Sequence, residues 1–408
     1  MDQLKLLNFH KMIANFATNL VGAFIPLIIY QATNSLMLSI AYLVSFESLR
    51  IIFCFALKKL YGKYPQLMLL LRIIPIALYN IFIFVLDVNL VIGVIGVCVF
   101  IALDSSINGL PKEIIFNYAS LTQQTEKSSI GVTRLFEQAG VIVALVIGGY
   151  LLDFNKTLVL ILSLSIYSLS VIPLVSFYVK SRKQKTFNKD ATSNAINTLR
   201  NKDSEHQIIY KKIRFKLLLT YGIVYFSFAF TDLLQSTYSL YIFIGQGEFA
   251  TAGILNAVFH TFYALGFYVA GIVNNKKDIT KLVAFICVLI GVLIVALPFI
   301  NINTHFIFIC LIYGTIGFTY PFISLFVLER MLIKSRIMGI SNRALFTREI
   351  GCLSAYVIGY ACGFFGLIGI FAAILISMVS AGFIIPNGEE KTRQHLVDFL
   401  QNNETMQK

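Results

Sequence analysis

The chain has 408 residues, of which 57% are apolar and 13% charged, and its mean hydropathy is +0.79. Soluble domains carry about 25% charged residues, so a water-soluble protein is excluded. The 36 Phe and 20 Tyr residues exclude a disordered chain. The net charge of +13 is spread over segments between apolar runs, so we predict a lipid bilayer, and no nucleic acid, as the partner.

Twelve apolar runs follow one another along the chain, each near the roughly 20 residues that a helix needs to cross a bilayer. An outer-membrane barrel would show alternating segments of about ten residues instead. We therefore predict an all-α polytopic membrane protein with twelve transmembrane helices. The predicted spans are 9–31, 35–57, 66–86, 88–111, 128–153, 157–179, 215–244, 249–273, 280–300, 304–328, 340–363 and 367–386.

Basic residues predict the orientation of these spans. The connections that follow the odd-numbered spans are short and hold only Lys156, and we call their side the short-loop face. The opposite side, here called the basic face, holds the other loop cations, among which we count Lys11 and the 180–216 segment. Because cytoplasmic loops are enriched in Lys and Arg, we predict a multi-pass protein of the cell membrane with both termini in the cytoplasm.

A polar segment divides the spans into two sets of six. A shift of 211 residues superposes Gly140 on Gly351 and Gly148 on Gly359, which relates the fifth span to the eleventh. We predict an N-terminal half over 1–180, a cytoplasmic linker over 181–214, a C-terminal half over 215–386 and a cytoplasmic tail over 387–408.

Charged side chains inside a bilayer cost several kcal/mol unless they are paired or hydrated, so each is a functional candidate. Glu47 and Arg50 are spaced i to i+3, as are Arg134 and Glu137, so each pair can neutralise itself on one helix face. Arg50, Asp104 and Arg134 lie nearer the basic face. We interpret these three as candidates for a gate of ion pairs or for a structural role.

The seventh span carries Asp232 near its middle, with no cation close to it in sequence. A carboxylate in a medium of low dielectric constant tends to bind a proton, so Asp232 is our first candidate for proton coupling, beside Glu47 and Glu137. A hydrogen-bonded neutral acid, or a partner for a first-half arginine, is the alternative.

Polar and aromatic side chains at helical spacing predict the lining of a cavity. Amides, phenols and an imidazole suit an amphipathic solute better than a polyanion. The candidate lining residues are Asn15, Asn19, Gln235, Asn256, His260, Tyr263, Tyr313 and Tyr320.

The layout of six spans, linker and six spans resembles the major facilitator superfamily. The loop over 55–64 keeps Gly62 and Lys63 of the family pattern G-x-x-x-D-R-x-G-R-R, without its aspartate. In the fifth span Gly131, Gly140, Gly148 and Gly149 fall at the spacing of the family's antiporter motif. Ala144 and Leu145 stand where that motif has glycine and proline.

The resemblance implies two six-helix halves around a midplane site that opens to either face in turn. It also implies a peripheral third span, which makes Arg72 the weakest functional candidate. Close helix packing at Gly140, Gly148 and Gly149 would seal one end of the cavity, so we take these glycines as gating candidates.

The sequence predicts no enzyme, because no phosphate-binding loop, nucleophile elbow or zinc motif lies in a polar segment. The six cysteines lie in spans without metal-ligand spacing, so we predict no catalytic residue, no metal and no cofactor. We expect a monomeric secondary transporter that exports an amphipathic small molecule in exchange for protons or another coupling ion. Proton-coupled uptake of a small nutrient, lipid translocation and a non-transporting membrane scaffold are the alternatives.

Overall fold

A computed structural model describes residues 3–57, 60, 64–122, 128–183, 236–274, 280–300, 302–337, 341–364 and 368–383, together with isolated residues between 218 and 233. All regular structure in these residues is helical. The helices are Gln3–Gly22, Ile25–Thr33, Leu36–Ala56, Pro65–Leu71, Ile73–Val85, Leu90–Thr122, Ser128–Phe154, Lys156–Lys183, 236–246, Phe249–Asn274, Thr280–Ala296, Ile302–Ile337, Ser341–Gly363 and Ile368–Phe383.

The described helices correspond to the twelve predicted spans. Among the described residues, eight helical segments are long and apolar enough to cross a membrane, and three shorter apolar helices lie in the second half. The helix 236–246 is the described end of the seventh span. The first and third spans each consist of two consecutive helices. The predicted all-α membrane fold is confirmed, and we keep the span numbers below.

Two spans are longer than the sequence predicts. The fourth span, Leu90–Thr122, has 33 residues, and the tenth, Ile302–Ile337, has 36. A helix of 20 residues already covers about 30 Å. Both helices therefore extend past a bilayer core on the basic face, where hydropathy no longer marks their ends.

The first span is broken at Ala23 and Phe24, between helices Gln3–Gly22 and Ile25–Thr33. Pro26 lies in the first turn of the second helix, where its missing N–H removes no helical hydrogen bond. The backbone is thus broken just before Pro26.

The short-loop face is built from tight turns whose polar side chains cap the next helix. The Ser35 hydroxyl accepts from the Leu38 N–H at 3.3 Å, the Asn89 side chain from the Ile92 N–H at 3.1 Å, and the Asn155 side chain from the Leu158 N–H at 3.1 Å. Asn34 ends the first span in the left-handed region, with φ of 49°. These caps satisfy helix N-termini and allow connections of only a few residues.

The two halves meet where the fifth span packs on the eighth and the second on the eleventh. Within the first half, the first span packs on the fifth and sixth. A Cβ on Gly140 would collide with the Met12 carbonyl of the first span, and one on Gly351 would lie 2.6 Å from the Gly222 carbonyl of the seventh. The fifth and eleventh spans thus make the same close contact in their own halves, in agreement with the repeat.

The linker beyond Lys183 and the tail over 387–408 lie outside the described residues. The boundaries that we assign to the halves therefore stay predictions.

Candidate functional site

The first buried ion pair joins the first span to the fifth. Lys11 Nζ lies 3.0 Å from Glu137 Oε1, and the two side chains are 6% and 4% exposed. The Asn15 amide donates to the Glu137 carbonyl at 3.4 Å. The expectation that Lys11 belongs to a basic-face connection is wrong, because this residue lies inside the helix Gln3–Gly22 and faces the bundle.

The second buried ion pair joins the third span to the fourth. Arg72 donates to both carboxylate oxygens of Asp104, at 2.6 and 3.0 Å, and to the Asn108 side chain at 3.1 Å. Its guanidinium also lies over the Tyr167 ring, 5.5 Å from the centroid. Arg72 is 3% exposed, so its side chain is buried within the first half, and the peripheral position of the third span stays a prediction. The pair lies wholly within the first half.

The third ion pair is local to the second span. Arg50 Nη2 lies 2.7 Å from Glu47 Oε2, and the Arg50 Nε–H donates to the same oxygen at 2.8 Å. This is the i to i+3 geometry that the sequence predicts for these two residues. The side chain of Arg134 lies outside the described residues, so its predicted pairing with Glu137 stays a prediction.

A polar contact links the two halves at mid-depth. His260 Nδ1 lies 2.8 Å from Gln138 Oε1, which joins the eighth span to the fifth. One turn away, the Ser239 hydroxyl donates to the Asn256 side chain at 3.0 Å. Gln138 follows Glu137 directly, so adjacent residues of the fifth span contact the first span and the second half.

The predicted tyrosines stack inside the second half. The rings of Tyr263 and Tyr320 have centroids 5.9 Å apart, and Phe259 stacks on Tyr263 at 5.9 Å. Tyr313 is fully buried, 5.3 Å from Phe259 and 5.5 Å from Tyr238. The eighth and tenth spans thus present an aromatic surface beside His260.

The remaining candidate site residues either bond within their own helix or lie outside the described residues. The Asn19 amide donates to the Asn15 carbonyl of its own helix at 2.8 Å. Asp232 and Gln235 lie outside the described residues. The structure therefore brings Glu137, Asn15 and His260 together around the fifth span. Glu47 instead pairs with Arg50 on its own helix, the second span.

The fifth and eighth spans close on each other near the short-loop face. A Cβ on Gly149 would lie 2.7 Å from the Phe249 carbonyl and 2.9 Å from Ala250 Cα. A Cβ on Gly253 would collide with the Leu145 carbonyl. The absence of side chains at these two glycines permits the contact between the halves.

Aromatic side chains cover the same end of the bundle. Phe243 and Phe249 of the second half have ring centroids 4.6 Å apart, and Phe24 lies 6.1 Å from Phe249. Tyr30 meets Phe243 edge to face at 6.4 Å. We call Gly149, Gly253 and these four aromatic residues the outer seal.

Asp153 closes the outer seal by capping a helix of the other half. Its two carboxylate oxygens accept from the backbone N–H groups of Phe249 and Ala250, at 2.9 and 2.8 Å. Asp153 lies in the last turn of Ser128–Phe154, where the dipole of its own helix disfavours an anion. At the N-terminus of the eighth span the same charge is stabilising.

Replacing Asp153 by alanine should lower the free energy of unfolding by about 1–2 kcal/mol, because two N–H groups lose their cap. Asp87→Ala is the matched control, since Asp87 pairs with Lys156 at 3.0 Å on the same face and is exposed. An exposed pair contributes about 0–1 kcal/mol. Equal losses in the two variants, measured by unfolding in mixed micelles, would contradict the capping role.

Sequence reasoning missed Lys11 and Asp153. Lys11 is the third residue of the predicted first span (9–31), which is a sign of an intramembrane charge. The signal for Asp153 is its position, because an acidic residue at a helix C-terminus needs a partner elsewhere.

Comparisons with known proteins identify the family. The family model of the Major Facilitator Superfamily matches residues 118–355, more than half of the chain. No curated protein matches the sequence. Within the described residues, no group of three or more His, Cys, Asp or Glu side chains is placed to hold a metal ion.

Solved transporter structures share the fold at 13% sequence identity. A bacterial homologue of the iron transporter ferroportin in an inward-facing state has a TM-score of 0.63, over 94% of this chain and 98% of the other. The nucleoside transporter NupG also has a TM-score of 0.63, over 95% and 99%, and a bacterial metal transporter has 0.62, over 95% and 99%. With its all-helical membrane fold and this family match, the chain belongs to the major facilitator superfamily of membrane transporters.

Proposed function

We propose that this protein is a secondary active transporter that works by alternating access and exports an amphipathic small molecule in exchange for protons. The observation that carries the proposal is the outer seal between the halves, together with buried ion pairs that lie deeper in the bundle, toward the basic face. The seal consists of separable contacts between glycine backbones and aromatic rings, and the Asp153 helix cap lies beside it. Such contacts can break and re-form as the two halves rock.

The chemistry of the predicted lining residues supports an amphipathic substrate. Tyr263, Tyr320 and Phe259 offer aromatic surface, while His260 and Gln138 offer hydrogen bonds. Lys11 and Arg50 are each neutralised by a carboxylate within 3.0 Å. A lining of this kind favours a solute with apolar area and few charges.

The contacts of Glu137 support proton coupling. A proton on the Glu137 carboxyl would remove the negative charge that pairs with Lys11. The adjacent residue, Gln138, contacts His260 of the second half. Protonation of Glu137 would therefore affect the contacts of the fifth span with both the first span and the eighth. Asp232 and Glu47 stay the other candidates for coupling, the first on sequence grounds alone.

Glu137→Gln should abolish substrate-evoked proton flux, because an amide cannot carry the proton. The measurement uses sealed vesicles with the purified protein, a pH-sensitive dye and a panel of amphiphiles, nucleosides, sugars and lipids. Glu248→Gln is the matched control, an exposed carboxylate in the connection before the eighth span, and should keep full flux. Size-exclusion profiles distinguish lost flux from lost fold. Full flux in both Glu137→Gln and Asp232→Asn would refute proton coupling through these residues.

A cellular measurement tests the direction of transport. If the basic face is cytoplasmic and the protein exports, cells without it accumulate more of a fluorescent amphiphile. Proton symport of a nutrient predicts the reverse result. A scaffold predicts no change and no flux in vesicles, although such a protein has no need of costly buried charges.

A further inference from the structure

Asp153 connects the two halves through hydrogen bonds to backbone. Its carboxylate oxygens accept from the N–H groups of Phe249 and Ala250, at 2.9 and 2.8 Å, where the eighth span begins. The four ion pairs described above lie within the first half instead. Asp153 is therefore a charged side chain of one half whose hydrogen-bond donors belong to the other half.

The eighth span is capped differently from the second span, its counterpart in the first half. The second span begins after Ser35, whose hydroxyl accepts from the Leu38 N–H of the same helix. The eighth span begins after Glu248, whose carboxylate accepts from the Thr251 hydroxyl, while Asp153 caps the first two N–H groups. Separation of the halves would thus leave the cap of the second span in place and remove the Asp153 cap of the eighth.

The two contacts between the halves also differ in how closely the helices approach. A Cβ on Gly149 would lie 2.7 Å from backbone of the eighth span, and Asp153 adds its two hydrogen bonds beside this contact. Between the second and eleventh spans, a Cβ on Gly363 would lie 3.4 Å from the Ile40 side chain and 3.5 Å from that of Met37, which is ordinary van der Waals contact. The closer contact and the cap are thus on the same side of the bundle.

We propose that Asp153 is a latch that holds the transporter closed toward the short-loop face, because it can cap the eighth span only while the halves are in contact. This latch presupposes the alternating access proposed above, but neither the substrate nor the direction of transport. Asp153 is exposed, so water can replace its hydrogen bonds when the halves separate. In the open state its charge stays at the C-terminus of its own helix, where the helix dipole disfavours it. The cap therefore gives the closed state a moderate and reversible advantage.

Distances across the short-loop face test the latch in the purified full-length protein in lipid nanodiscs. Spin labels at Val88→Cys and Phe299→Cys, in a background without native cysteines, report on the first and second halves, since these residues are 89% and 80% exposed. Double electron–electron resonance should resolve a closed population and an open population with longer distances. Asp153→Ala should raise the ratio of open to closed protein roughly two- to thirtyfold, the factor that corresponds to one lost helix cap.

A second substitution separates the latch from the stability of the eighth span. Glu248→Ser supplies a local cap of the kind that Ser35 gives the second span. Added to Asp153→Ala, it should increase resistance to unfolding while the open population stays high, because the new cap moves with its own helix. Glu248→Ser alone is the control and should keep the wild-type distances. Wild-type distances in Asp153→Ala, or their return in the double variant, would overturn the latch.

Gly149→Val distinguishes failure of the latch from failure of the proposed function. Its added side chain would press on the Phe249 carbonyl, so it should raise the open population without removing the cap. If Gly149→Val opens this face and Asp153→Ala does not, the latch is wrong and alternating access stands. If neither variant shifts the distances, alternating access at this face is wrong as well.

Discussion

Replacing Arg72 by methionine should lower the free energy of unfolding by about 3–5 kcal/mol, because Asp104 would be left charged and buried without its partner. Both side chains are nearly inaccessible, at 3% and 8% exposure, and the guanidinium makes two bonds to the carboxylate. Unfolding in mixed micelles measures the loss. A free energy of unfolding close to that of the wild type would show that Asp104 is neutral or hydrated in the variant.

A double replacement separates the ion pair from the packing around it. Arg72→Met with Asp104→Leu removes both charges, so most of the lost stability should return, as in other buried pairs replaced by apolar residues. Lys156→Met is the control for a cation, since its pair with Asp87 is partly exposed and contributes about 0–1 kcal/mol. If the double variant is no more stable than Arg72→Met, the loss comes from packing against Tyr167 rather than from the charge.

The spans could be predicted from the sequence because a helix is the element that satisfies its own backbone in lipid. Hydropathy places most span ends within a few residues of the helix ends in the structure. It fails at the ends of the fourth and tenth spans, since those helices continue into water as Leu90–Thr122 and Ile302–Ile337. The broken first span is signalled only by Pro26.

The ion pairs were harder to predict than the spans. Glu47 and Arg50 lie one turn apart on one helix, so spacing alone pairs them. Glu137 instead binds Lys11, 126 positions earlier in the chain, and Arg72 binds Asp104 on the next span. Pairs between helices depend on helix rotation and depth, which a hydropathy pattern does not define.

The glycines of the fifth span show how a motif can change and keep its contact. Ala144 and Leu145 replace the glycine and proline of the family's antiporter motif. The close approach at Leu145 is made possible by Gly253 of the eighth span, which lies against the Leu145 carbonyl. A motif search along one helix cannot find this, because the small residue lies on the partner helix.

Replacing Gly149 by valine should hold the transporter open toward the short-loop face and reduce transport at least roughly fivefold. The added Cβ would lie 2.7 Å from the Phe249 carbonyl, and this contact is with backbone, which cannot rotate away. Overpacking costs about 1–3 kcal/mol, and such a difference shifts a two-state equilibrium roughly five- to 150-fold.

The accessibility of a reporter thiol measures the shift in a background without native cysteines. Leu145→Cys places the thiol behind the outer seal, at a residue that is 1% exposed. A membrane-impermeant reagent added from the short-loop face should label it faster in Gly149→Val. Gly22→Ala is the matched control, since a Cβ there has no neighbour within 4 Å. Unchanged labelling together with normal transport in Gly149→Val would show that the contact between the fifth and eighth spans does not gate this face.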